Sequence, residues 1–224
     1  AWTVVRRKPF VIHFQLENNF NRGIKSMKAK PFLLAVFYFI AVIVLAHFFI
    51  PPNYDWTQNT ISDLASQGHI YKWIMQAGFV GFGLLLTAGS ADYFWQNKER
   101  YFLWLVAGYG LSVLVTGFYC AAAIDPSIEY SLQEAGIHSM FATIAGVCMS
   151  MGIVWQVVAS STRRELWMRI IFLVLVMGIS ALFGLAENHI LEIGKGIVQR
   201  ALYLSGLAWL VYEEQQILHR GTIK

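Results

Sequence analysis

Charged residues are scarce in this chain, and their scarcity excludes most soluble folds. Of its 224 residues, 13% are charged and 57% are hydrophobic, whereas soluble domains carry about 25% charged and about 45–50% apolar residues. A globular protein with so few charges cannot cover its own surface, so a lipid bilayer is the expected solvent. The net charge of +4 comes from short segments between apolar runs, not from one basic face, which argues against a nucleic-acid partner.

Cysteine and metal-binding motifs are equally sparse. The two cysteines, Cys120 and Cys148, lie in apolar segments without a CxxC spacing, which argues against a disulfide framework or a thiolate metal site. No HxxxH or HExxH pattern occurs, and no GxSxG motif surrounds Ser62, so a serine-hydrolase triad has little support. The sequence leaves any cofactor unknown.

Long apolar runs are what the chain has in abundance. A helix of about 17–25 residues spans the hydrocarbon core, and six runs reach that length. We predict an all-α bundle of six transmembrane helices near residues 31–50, 71–91, 101–124, 136–159, 167–186 and 196–212. Tryptophans cluster near the ends of these runs, as indoles do at the headgroup region.

The distribution of lysine and arginine predicts the orientation. Of seventeen such residues, fourteen fall before the first run, in the second–third and fourth–fifth connections, and in the tail. Basic loops stay on the cytoplasmic side, so we expect both termini there, in a multi-pass protein of the plasma membrane. Residues 1–30 are predicted to form a basic cytoplasmic leader, or to include an extension that precedes a start site at Met27. Residues 213–224 are predicted to form a cytoplasmic tail.

The opposite, extracytoplasmic side then holds most candidates for chemistry. In the segment NTISDLASQGH, residues 59–69, Thr60 and Asp63 have the spacing of a capping box, but Ser62 and Asp63 are also candidate ligand-binding residues. His138 lies about one turn inside the fourth run. An ionisable group at membrane depth is costly, so its presence there suggests a functional site. The alternative is an interfacial histidine bonded to a carbonyl or to water.

Arg200 is the third candidate, near the start of the last run. Its guanidinium is suited to holding a lipid phosphate with two hydrogen bonds, or to pairing with Glu187, Glu192 or Asp125 to fix the bundle. Three histidines on the predicted outer side are candidate metal ligands: His69, His138 and His189. Their residue type suits a metal site, but they do not have the sequence spacing of a metal-binding motif.

Several motifs together resemble an integral-membrane family called domain of unknown function 998. They are NTISDLAS with QAGFVGFGLLL, AAIDPS with GIHSMFATIAG, and the late GKGIVQRALYLSGLAWL. The resemblance covers roughly residues 32–212 and extends distantly to the damage-regulated autophagy modulator and FGF-receptor-activating-protein-like families, which also have six spans. It supports the fold and points to five positions, Ser62, Asp63, Asp125, His138 and Arg200, while Ala65 stands where the family tends to have glycine. It implies no activity.

Three functions stay open from the sequence. The first is binding of a lipid headgroup or small polar solute by Ser62, Asp63, His138 and Arg200. The second is a membrane hydrolase or transferase, with His138 as base or metal ligand oriented by Asp63 or Asp125. The third is a scaffold whose polar residues lock the bundle. Membrane lipids are the expected partners, and a homo-oligomer is neither required nor excluded.

Overall fold

The computed structural model of the chain describes residues 30–220, which form an all-α fold. Six α-helices and a short 3-10 helix at Ser62–Ala65 make up this region, and the helices are α1 (Pro31–His47), α2 (Lys72–Gln96), α3 (Phe102–Phe118), α4 (Leu132–Val158), α5 (Arg163–Glu187) and α6 (Lys195–Arg220). Within residues 30–220 no strand forms, and extended pairing is limited to a bridge between Ser66 and Ala121. The predicted leader lies outside the described residues, apart from Lys30.

The helices pack in chain order and close on themselves. Each helix packs against the next one along the chain, and α6 returns to contact α1. One end of the bundle therefore carries the beginnings of α1, α3 and α5 with the ends of α2, α4 and α6. We name it the basic end, because Arg100, Arg169 and Arg220 lie there, and we name the opposite end the loop end, formed by residues 48–71, 119–131 and 188–194.

Three of the described helices are long and apolar enough to cross a membrane: α2, α4 and α5. The chain is therefore a membrane protein. Helices α1 and α3 are apolar but have 17 residues each. The last helix continues eight residues past the predicted span end at 212, to Arg220, and buries Glu213 and Glu214, which the sequence had placed in a tail.

Glycines bring α2 and α3 into backbone contact. A Cβ added at Gly83 would lie 2.5 Å from the carbonyl oxygen of Gly110, and one added at Gly117 would lie 2.9 Å from that of Gln76. Helices in lipid gain little from hydrophobic association with one another, so close approach at small residues supplies much of their packing. These glycines therefore let α2 and α3 approach closely, whereas Gly146 in α4 has open space around it.

Local sequence explains where two helices begin. Ser131 and Thr162 precede α4 and α5, and their hydroxyls accept hydrogen bonds from the amides of Glu134 and Glu165, both at 3.2 Å. These are N-caps that satisfy amide groups at the first turn. Helix α1 begins instead at Pro31 with no such cap beside it, and its amides are satisfied from elsewhere, as described below.

Candidate functional site

Arg200 organises the loop end from the first turns of α6. Nη1 donates to three main-chain carbonyls, those of Trp56 at 2.8 Å and of Asn59 and Gly196 at 2.9 Å. Nη2 lies 2.5 Å from the Tyr54 hydroxyl and 3.2 Å from His47 Nε2. The terminal N–H groups are therefore all directed at protein acceptors.

The surroundings of Arg200 fix the tautomer of His47. Nδ1 of His47 lies 2.7 Å from the carbonyl oxygen of Ile43, which can only accept, so Nδ1 carries the proton and Nε2 accepts from Arg200. Burial raises the pKa of Tyr54, and the Arg200 charge acts in the opposite direction. Arg200 is thus held by neutral groups, rather than by Glu187, Glu192 or Asp125 as the pairing hypothesis expected.

The stretch around Ser62 and Asp63 is a helix cap. The Asp63 amide donates to Thr60 Oγ1 at 3.1 Å, and the Thr60 amide donates to Asp63 Oδ2 at 2.7 Å. This reciprocal pair is the capping box that the spacing predicts. The amide of Ile61, one residue along, donates to Gln199 Oε1 on α6 at 2.7 Å, so the capped turn is also tied to the bundle.

His138 is buried, with 3% of its surface exposed. Its Nδ1 lies 2.9 Å from the Tyr119 carbonyl oxygen, so Nδ1 is the donor and Nε2 presents a lone pair. Nε2 has no hydrogen-bond partner among the described residues, and the ring stands edge-on to Phe79 with centroids 6.1 Å apart. The orienting group is thus a carbonyl, where the catalytic hypothesis needed a carboxylate from Asp63 or Asp125.

The three candidate metal ligands do not meet. Within residues 30–220, no group of three or more His, Cys, Asp or Glu side chains is arranged to hold a metal. His69 belongs to the loop before α2, His138 is inside α4, and His189 sits at φ 54° in the exposed α5–α6 turn. Lys195 and Glu187 form an exposed ion pair of 3.4 Å near that turn.

A cavity of about 330 Å³ opens at the loop end. Its walls are largely apolar and include Ile50, Ile70 and Ile128, and its polar lining includes His69 and Asp125. Ligand pockets typically hold about 300–1,000 Å³ and combine apolar walls with a few polar groups. Two of the predicted candidate residues are thereby brought to one cavity, and Ser62, Asp63, His138 and Arg200 do not line it.

Two of the polar groups that line this cavity, Asp125 and His69, differ in charge. Asp125 Oδ1 accepts from Ser127 Oγ at 2.7 Å and from the Ser127 amide at 2.9 Å, and these bonds lower the pKa of Asp125, so the carboxylate is ionised. Burial lowers the pKa of His69, whose ring also bonds to the Phe49 backbone. At neutral pH the cavity therefore offers one anion and one neutral imidazole.

At the basic end, the structure places a buried cluster that sequence reasoning missed. Arg169 on α5 forms two bonds with Glu213 on α6, from Nε at 2.7 Å and Nη2 at 2.8 Å. Gln156 adds a side-chain bond of 3.1 Å to the same carboxylate. Both charged side chains are 1% exposed, so a complete ion pair lies inside the protein.

Glu214, the next residue, satisfies the beginning of α1. Its two carboxylate oxygens accept from the amides of Phe32 and Leu33, each at 2.8 Å, and Oε1 also accepts from the Tyr93 hydroxyl at 2.9 Å. A carboxylate at a helix N-terminus satisfies free amides and interacts favourably with the helix dipole. Glu214 is therefore a cap supplied from about 180 residues away.

Comparison with known proteins identifies the family. A family model described as "Protein of unknown function (DUF998)" matches residues 33–212. The chain belongs to this family. Neither the curated proteins nor the solved structures yield a match. The match confirms the predicted resemblance to this family and covers both cavity residues, His69 and Asp125. The distant similarity to the damage-regulated autophagy modulator and FGF-receptor-activating-protein-like families stays a prediction.

The part matched by the DUF998 model ends at residue 212, one residue before Glu213. The buried glutamates were missed because they follow the last apolar run in the sequence VYEEQQIL and resemble the start of a polar tail. One signal was available. Arg169 stands seven residues into RRELWMRIIF, at the edge of a long apolar run, and a charge at such depth needs a buried partner.

Proposed function

We propose that this protein crosses the membrane six times and binds a small amphipathic ligand in the loop-end cavity, on the extracytoplasmic side of the plasma membrane. The ligand carries a hydrogen-bond-donating head, such as the amine or hydroxyl of a lipid headgroup. The observation that carries the proposal is the cavity of about 330 Å³ with the Asp125 carboxylate and the His69 ring in an otherwise mainly apolar lining.

The chemistry of the lining selects the head of the ligand. Asp125 uses Oδ1 for Ser127, and Oδ2 has no protein hydrogen bond within residues 30–220, so it is free to accept. The neutral imidazole of His69 in the same lining adds no repelling charge. A protonated amine or a hydroxyl can donate to Oδ2, whereas a head that ends in a phosphate would be repelled by the carboxylate.

The walls select the rest of the ligand. Ile50, Ile70 and Ile128 present apolar surface, and Pro51 and Pro52 form a rigid edge where the chain leaves α1. Burying apolar area contributes about 25 cal/mol per Å², so a short acyl or glycerol portion is the natural neighbour of the head. Gly68 supports this wall at φ 81°, where an added Cβ would lie 2.8 Å from Ile128.

The residues first expected to bind the ligand become the frame of its site. Arg200 holds the segment 54–59 against α6, and the capping box of Thr60 and Asp63 fixes the turn that follows. Rigid framing places cavity residues reproducibly and lowers the entropy lost on binding. In this proposal, Arg200 and Asp63 act on the ligand through the position of the loop.

The experiment is native mass spectrometry of the full chain in nanodiscs that contain equal amounts of phosphatidylethanolamine and phosphatidylcholine. The first lipid has N–H donors and the second has none. We expect a phosphatidylethanolamine adduct that Asp125→Asn reduces by about tenfold. Asp55→Asn is the matched control, because Asp55 makes the same turn with Thr57 at 2.8 Å and does not line the cavity.

Acidity gives a second readout. Because burial lowers the pKa of His69, its ring is uncharged above the ordinary histidine value of about 6.5, and adduct formation stays constant there. As pH falls through the lowered pKa, the ring gains a proton and repels an amine, so the adduct weakens. Equal adducts for both lipids, or identical behaviour of the Asp125 and Asp55 variants, would overturn the proposal in favour of a scaffold.

A further inference from the structure

A second cavity, of about 100 Å³, lies at the basic end, between the α2–α3 connection and the ends of α4 and α6. Three arginines line it, Arg100, Arg169 and Arg220, against the two carboxylates of Glu99 and Glu213. Trp155 forms one wall. The lining therefore carries one more positive than negative formal charge.

Two of the three arginines already have carboxylate partners. Arg169 is neutralised by Glu213, to which it donates two hydrogen bonds, and Arg220 forms an ion pair with Glu165. Arg100 differs, because its hydrogen bond is to the carbonyl oxygen of Ile217, from Nη2 at 3.2 Å. Within residues 30–220 it has no ion pair.

The position of Arg100 is unfavourable for an isolated cation. Burial and the nearby Arg220 charge both lower the pKa of Arg100, although a guanidinium stays protonated in proteins. Two like charges thus face a common space at a site partly removed from water. An anion between them would relieve both the repulsion and the lost hydration.

We propose that this cavity binds a phosphate group, with Arg100 as its principal ligand and Arg220 as the second. A guanidinium presents parallel N–H donors that match phosphate oxygens. The cavity of about 100 Å³ is large enough to admit a phosphate. Basic pockets between helices on the cytoplasmic side are recognised sites for lipid phosphates.

The phosphate could belong to a lipid headgroup or be free in solution, and two probes separate these sources. Calorimetric titration of the full chain in detergent uses inorganic phosphate in one arm and short-chain phosphatidic acid in the other. Saturable binding of inorganic phosphate that competes with the lipid identifies free phosphate as sufficient. Saturable binding of the lipid alone identifies a headgroup whose acyl chains are required.

Arg100→Gln tests the assignment, with Lys98→Gln as the matched control. Lys98 carries the same charge two residues away, over the ring of Trp95 at 5.4 Å and outside the cavity. We expect Arg100→Gln to weaken binding at least tenfold, about 1.4 kcal/mol, and Lys98→Gln to leave it within about twofold. Arg100→Lys, which keeps the charge and loses the paired donors, is expected to bind with intermediate affinity.

Circular dichroism and gel filtration check that each variant folds. If Arg100→Gln does not fold, Arg100→Lys decides, since a loss of affinity in that variant supports the paired-donor contact. Equal losses in the Arg100 and Lys98 variants would show a general charge effect and overturn the site. So would the absence of saturable binding for both probes, or wild-type affinity in every folded Arg100 variant.

Discussion

The two ends of α6 hold arginines in different ways. At the loop end, Arg200 is surrounded by neutral acceptors, among them the carbonyls of Trp56 and Asn59. At the basic end, Arg169 meets the carboxylate of Glu213 through two bonds. Near water, carbonyl dipoles are sufficient to stabilise a guanidinium. A guanidinium that is 1% exposed needs an anionic partner, because it has lost its hydration. The depth of each residue decides which arrangement the protein uses.

This difference predicts the largest effect for Arg169→Ala. Removing one partner of a buried ion pair leaves an uncompensated charge and costs about 3–5 kcal/mol of stability. Thermal unfolding in detergent measures the loss. Replacing both partners, Arg169→Met with Glu213→Leu, should restore most of the stability, because neither charge then remains. A single variant as stable as wild type would show that the pair is not buried as described.

Arg200→Ala comes next, at about 2–3 kcal/mol, in the range for hydrogen bonds to charged groups. The expected cost is smaller because the groups left behind are neutral and lie near the loop-end surface, where water can replace the guanidinium. The same unfolding assay measures this loss of stability. Arg200→Lys should recover only part of the stability, since an ammonium cannot reproduce the planar set of N–H donors of a guanidinium. A loss greater than that of Arg169→Ala would reverse the comparison between the two ends.

Glu214→Gln is expected to cost about 1 kcal/mol, the scale of a charge at a helix N-terminus. The amide oxygen can still accept from Phe32 or Leu33, but the charge and one acceptor are lost. Hydrogen exchange at the first turn of α1 measures the effect locally, and the rest of α1 should keep its protection. Unchanged exchange at Phe32 and Leu33 would remove Glu214 from the role of a cap.

The smallest effect is expected for Lys195→Ala, below about 0.5 kcal/mol. Its ion pair with Glu187 is exposed, with the side chains 33% and 51% accessible, and exposed pairs contribute little because water screens them. Chemical denaturation with and without added salt measures the difference. A cost comparable to that of Glu214→Gln would mean that solvent exposure does not determine how much each charged residue contributes to stability.

Structural features could be predicted from the sequence when the residues in contact are close together along the chain. Apolar length predicted the all-α fold, because the length of an apolar run is a property of each helix by itself. The capping box of Thr60 and Asp63 was readable because its members are three residues apart. The contact of Glu214 with the beginning of α1 was not, since nothing local links residues about 180 positions apart.

The same limit applies to the candidate site: its residues could be named from the sequence, but their spatial partners could not. Residue type marked Arg200 and His138 as candidates, but most of their hydrogen-bond partners are main-chain carbonyls, and a carbonyl has no signature in the sequence. The loop-end cavity is formed by segments near residues 50, 68 and 125, which come together only when the helices pack. Sequence reasoning therefore named His69 and Asp125 without being able to place them in one cavity.

The most direct test compares ligand retention with stability in two variants, Arg200→Lys and Asp125→Asn, by native mass spectrometry and thermal unfolding of the same samples. If Arg200 frames the site and Asp125 contacts the ligand, Arg200→Lys lowers the unfolding temperature and keeps the phosphatidylethanolamine adduct. Asp125→Asn should keep the unfolding temperature and lose the adduct. The opposite pattern, with the adduct lost in a fully stable Arg200→Lys protein, would contradict this division of roles.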